Sequence, residues 1–126
     1  MITEKELKFF SNRVYEIIAY LGLHRWTVSV EWNMNENDTA DASVLLNKNQ
    51  SRAKVLLNKN LELNDETKGK LCTLAMHECL HILLYDLYYY TQVKGYPRSI
   101  LSEEVDAAEH RIINTLTPLL DHDMDL

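Results

Sequence analysis

Near the start of the chain Leu7, Phe10, Val14, Ile17, Ile18 and Leu21 recur at helical spacing, which lines them along one face. Thr3 followed by Glu6 is a capping-box signature for the start of that helix, and Gly22 closes it. The period then changes to two. Trp26, Val28 and Val30 alternate with Thr27, Ser29 and Glu31, predicting a half-buried strand over residues 25–32. Residues 33–41 are a polar turn region. After it, the segment 44–49 (Val-Leu-Leu-Asn-Lys-Asn) returns unchanged as 55–60. A unit seen only twice is too short for a solenoid, and two β-rich segments joined by a polar turn predict an antiparallel pair.

Asn64 and Asp65 offer a cap for a long helix over about residues 66–90, with Leu71, Leu74, Ala75, Leu83 and Leu84 as packing positions. Gly95-Tyr96-Pro97 interrupts the chain. A last helix is expected over about residues 102–116, ended by Pro118, with 121–126 a frayed acidic tail. The expected fold is α+β: an N-terminal helix, a short three-stranded, mainly antiparallel sheet, a long helix and a C-terminal helix, all in one domain over residues 1–126.

Composition narrows the function. With 13 basic and 19 acidic residues the net charge is −6, and the basic residues are scattered, so no nucleic-acid partner is expected. No apolar run is long enough to span a bilayer, and the charged first residues do not read as a signal peptide, so the cytoplasm is the expected compartment. Cys72 and Cys79 stand about 10 Å apart along one helix, too far for a disulfide, and read as two reduced thiols.

The long helix contains His77-Glu78-Cys79-Leu80-His81, an H-E-x-x-H motif. A four-residue step turns a helix by only about 40°, so both imidazoles project from one face and can donate to one Zn²⁺. Glu78 sits one step round, where its carboxylate reaches a water rather than the metal and can act as general base. Two inward histidines beside a glutamate would be costly to bury unpaired, and a metal resolves that cost. A catalytic zinc wants a third protein ligand and an open position. With Leu101, Val105, Ala108, Ile112 and Leu116 as the buried face of the last helix, Glu109 points within about 40° of it and is the preferred third ligand. Glu104 lies about 100° away and comes second; Glu103 and His110 fall on the far side by the same count.

The H-E-C-L-H helix followed by a helix reading Glu109-His-Arg-Ile-Ile-Asn-Thr-Leu116 resembles the small zincin-like metallopeptidases of phages and prophages. The likeness covers the whole layout but is sharp only over residues 77–81 and 109–116. It implies a minimal zincin-like domain, one catalytic Zn²⁺ held by His77, His81 and Glu109, and Glu78 as general base for peptide hydrolysis. It also implies a peptide or protein substrate, with a phage or host protein as partner and the host cytoplasm as setting. The sequence departs from that pattern at His110, where a second acidic residue is common. In such peptidases a sheet-edge strand holds the substrate, and residues 43–48 or 53–58 are the candidates here. Phenols of Tyr88, Tyr89, Tyr90 or Tyr96 are candidate oxyanion donors, though packing residues with wetted hydroxyls are the simpler reading.

Two alternatives belong to other classes. Residues 77–86 partly resemble the H-G-x-L-H-L-x-G-Y-D-H signature of ribosomal-RNA-maturing endoribonucleases, but Glu78 replaces its glycine and Leu87 its third histidine. The chain could instead be a zinc-binding assembly or regulatory module; Cys79, about 200° round the helix from His77, is poorly placed to close a structural site.

Overall fold

The computed structural model describes residues 2–47, 49–62, 64–93 and 98–125, and the side chains within these ranges except 86–102. The Gly95-Tyr96-Pro97 break and the side chains of Leu87, Tyr88, Tyr89, Tyr90 and Leu101 lie outside the described residues. The element order is α1 (Glu4–Tyr20), β1 (Thr27–Trp32), β2 (Ala42–Asn47), β3 (Arg52–Leu57), α2 (Thr67–Val93) and α3 (Arg98–Met124), an α+β fold.

α1 starts and stops as its sequence predicts. The Thr3 backbone N–H donates to the Glu6 carboxylate at 3.3 Å, and the Thr3 hydroxyl donates to the same group. At the other end Gly22 takes a φ of 69°, which lets the Leu23 N–H turn back to the Ile18 carbonyl at 3.0 Å. Phe10, Val14 and Ile17 of the intervening stripe are fully buried.

The repeated Val-Leu-Leu segments do pair antiparallel, with Val44 opposite Val55. β1 joins the far side of β3 in parallel, Val30 opposite Val55, so the sheet is mixed and its order is β1-β3-β2. The 33–41 connection makes this possible by passing over the end of β3. Asn33 N–H donates to the Leu57 carbonyl at 2.9 Å, and Asn58 N–H donates to the Asp41 carbonyl at 2.9 Å. Within that connection Asn33, Asn35 and Asp38 side chains each accept from a backbone N–H two residues on, local bonds that favour turns over strand. Ala53, Val55 and Leu57 face the helices and are buried; Arg52 and Lys54 alternate with them on the exposed face.

α2 is capped by Asn64, whose side-chain oxygen accepts the Glu66 N–H at 2.8 Å, while Thr67 Oγ1 accepts the Asn64 N–H at 2.7 Å. The helix packs against α1, α3 and β2. Leu71 and Ala75 are buried as expected, together with Met76, Cys79, Leu80 and Ile82, whereas Leu83 is exposed. A helix contacted on three sides has no single stripe.

α3 differs from expectation at its end. Pro118 lies inside the helix, which runs on to Met124 rather than stopping near Leu116 and leaving a frayed tail. Pro118 is exposed, and so is Asn114, the residue whose carbonyl loses its helical partner; water can reach that oxygen. Beyond the proline, Leu120 and Met124 pack on the core. Arg13 of α1 holds Asp121 at 3.4 Å and Asp125 at 3.2 Å, and the Tyr20 phenol donates to Asp123. These tertiary contacts carry the helix past its weak point. Among the described residues no helix is long and apolar enough to cross a membrane.

Candidate metal centre

The H-E-x-x-H turn lies where α2 passes beneath β2 and against α3. His77 and His81 are half-buried, their rings 5.0 Å apart between centroids at an interplanar angle of 67°. Glu78, one step round, is only 5% exposed. Cys79 points the other way, into the core, its thiol 3.9 Å from the Val14 carbonyl, and burial pushes that thiol far up from its ordinary pKa. Cys72 is likewise free, and burial raises its thiol as well.

The third imidazole comes from α3. The rings of His81 and His110 are 5.0 Å apart and those of His77 and His110 5.9 Å, and one ligating atom from each of the three lies within 4.8 Å of the others. This is a metal-capable group of three histidines. Glu109, the preferred third ligand on sequence grounds, is not in it: its carboxylate lies 2.6 Å from His81 Nδ1. Glu103 and Glu104 are exposed and also outside the group.

α3 is rotated from the orientation its sequence suggested. Among its described side chains the most buried is Ile113, not Ile112, which is 42% exposed. Ile113, Thr117, Leu120 and Met124 define the inward face, about 100° from the one read off the sequence; Glu109 lies about 40° to one side of Ile113 and His110 about 60° to the other, so the rotation brings His110 round from the far side while Glu109 stays inward. The four- and three-residue steps linking those residues were a readable signal, once the helix is allowed to pass Pro118.

The electrostatics fit a cation. Burial, then the neighbouring His81 and His110, bring the His77 pKa down to about 4, so near neutrality this ring is uncharged and holds a free lone pair. Burial raises Glu78 to about 7, with His110 opposing the rise. His110 Nδ1 is 2.9 Å from the Asp106 backbone oxygen; a carbonyl only accepts, so Nδ1 carries the proton and Nε2 is left to coordinate. Three imidazoles converging from two helices make a donor set suited to zinc.

Above the histidines opens a cleft of about 490 Å³, lined by residues 42–46 of β2, by His77, Glu78, His81 and Tyr85, and by Asp106, Glu109 and His110. Asp106 did not figure in the sequence reading, and Tyr85 did only within the endoribonuclease-like stretch. Tyr85 is one turn beyond His81, so the spacing that aligns the histidines also marks it. Its ring meets Trp26 edge-on at 5.9 Å. Of the two candidate substrate strands, β2 borders the cleft; β3 is the central strand. Among the described residues β2 pairs only with β3, so its cleft-side edge is open. At the opposite edge of the sheet, the Val28 carbonyl of β1 accepts the Tyr15 phenol at 3.0 Å.

Comparison with models of known families, with curated proteins and with solved structures yields no match.

Proposed function

We propose that this chain is a zinc-dependent peptidase whose metal is held by His77, His81 and His110. The observation that carries this reading is the convergence of those three imidazoles with a buried carboxylate, Glu78, beneath an open strand edge. A zinc ion in that group would act as a Lewis acid toward a substrate carbonyl and lower the pKa of a water beside it.

Glu78 supplies what a peptidase needs from its protein. Its carboxyl is poised to hold or release a proton near neutrality, because a pKa of about 7 matches the working pH of a general base. The same oxygen can return the proton to a leaving amine. A structural metal site has no use for such a group. The β2 edge offers backbone donors and acceptors to an extended peptide lying along the cleft, which is how sheet edges bind chains with little regard to sequence. That favours a peptide or protein segment as substrate over a compact small molecule. The ribonuclease reading gains no comparable support, since the net charge of −6 opposes a phosphate backbone.

The test is metal analysis joined to a peptide-library digest. Purified wild type should carry one zinc per chain, and His77→Ala, His81→Ala and His110→Ala should each lose it. Glu78→Gln should retain the zinc but cleave the library at least a hundredfold more slowly, at the low end of what general-base removal costs. A wild type without stoichiometric metal, or a Glu78→Gln variant that cleaves like wild type, would sink the proposal.

A further inference from the structure

Glu109 stands beside the histidine cluster, and the distance says in what capacity. Two atoms that each bind one tetrahedral zinc at about 2.0–2.1 Å lie roughly 3.3 Å apart. Glu109 Oε1 and His81 Nδ1 are 2.6 Å apart, with side chains only 11% and 17% exposed, so they are hydrogen-bonded to each other rather than shared by one ion. A carboxylate oxygen accepts, which puts the proton on Nδ1 and the lone pair on Nε2 of His81.

We propose that Glu109 is a positioning residue: it fixes His81 in the Nδ1–H tautomer and holds the ring so that Nε2 is the nitrogen offered to the cluster. His110 is fixed in the same tautomer by a different acceptor, the Asp106 backbone oxygen one helical turn earlier. One turn of α3 therefore supplies a ligand, His110, and the orienting group for a ligand on another helix. The purpose of this arrangement rests on the metal reading above; the tautomer itself does not. An anionic acceptor behind an imidazole raises the basicity of the far nitrogen, and removing such a partner typically weakens metal binding by about 10–100-fold.

The experiment begins without metal. Long-range ¹H–¹⁵N imidazole spectra of chelator-stripped, ¹⁵N-labelled protein at neutral pH should show His81 and His110 as Nδ1–H tautomers. In Glu109→Ala the His81 signals should move toward the Nε2–H form while those of His110 stay. Glu109→Gln, whose amide oxygen can still accept, should keep the wild-type tautomer. Zinc competition against a chromophoric chelator should then give one site per chain in all three proteins, about 10–100-fold weaker in Glu109→Ala and less affected in Glu109→Gln. His81 as Nε2–H in wild type, or unmoved by Glu109→Ala, would overturn the proposal. So would stoichiometric zinc lost in Glu109→Ala but kept in His110→Ala, because Glu109 would then be the ligand. A wild type that binds no zinc yet shows His81 as Nδ1–H would defeat the peptidase reading while upholding the tautomer assignment.

Discussion

Replacing Glu78 by glutamine tests the electrostatics of the site before any chemistry is measured. Burial moves the Glu78 pKa from the ordinary carboxylate value of 4.5 to about 7, at a side chain only 5% exposed. A carboxyl with a raised folded-state pKa contributes stability that is fully present below its unfolded value and lost as pH rises through the folded one. The window here runs from about pH 4.5 to about pH 7, and at roughly 1.4 kcal/mol per pH unit the loss is about 3 kcal/mol. Glutamine has nearly the same shape and never ionises, so it removes that loss. His77 behaves oppositely: its lowered pKa drains stability as pH falls below 6.5 toward about 4, but equally in both proteins, so the difference between them isolates Glu78. Urea unfolding of metal-stripped wild type and Glu78→Gln, followed by circular dichroism from pH 4.5 to 8.5, is the assay. The variant should gain about 3 kcal/mol on wild type across the window and hold that gain above it. Parallel stability curves would mean that the carboxyl is solvated in solution, and the general-base assignment would lose its basis.

Two further predictions concern α3. Pro118→Ala should raise the unfolding free energy by about 1–3 kcal/mol, because it restores the hydrogen bond to the Asn114 carbonyl at an exposed helical position; a lowered thermal midpoint would show that the ring packs usefully instead. Arg13→Met should cost about 2 kcal/mol by leaving Asp121 without its cation, and should speed amide exchange over residues 119–125 more than elsewhere; uniform exchange would mean that the contact does not anchor the helix end.

What the sequence made legible followed the range of the interaction. The convergence of His77 and His81 depends only on the pitch of one helix, so five consecutive residues suffice to predict it. The cap at Thr3, the stop at Gly22 and the Val44–Val55 pairing are equally local or nearly so. The third imidazole depends on how α3 is rotated against α2. Ending that helix at Pro118 removed Leu120 and Met124 from its stripe, and without them Ile112 looks as good a core residue as Ile113. That hid His110, which flanks the inward face on the side opposite Glu109; Glu109 itself is inward as expected, its side chain 11% exposed. The parallel pairing of β1 with β3 was likewise hidden, because it turns on which strand end the 33–41 connection crosses. Hydrophobic alternation is blind to that choice.

The open border of β2 carries a hazard as well as a use. A strand whose backbone groups face outward will recruit the corresponding border of another molecule as readily as a peptide, and chains of such contacts grow into aggregates. Here that border lines a cleft whose other residues come from α2 and α3, so a second molecule pairing with β2 would come up against the histidine cluster as well. The same backbone groups of β2 would thus serve a bound peptide and invite self-association.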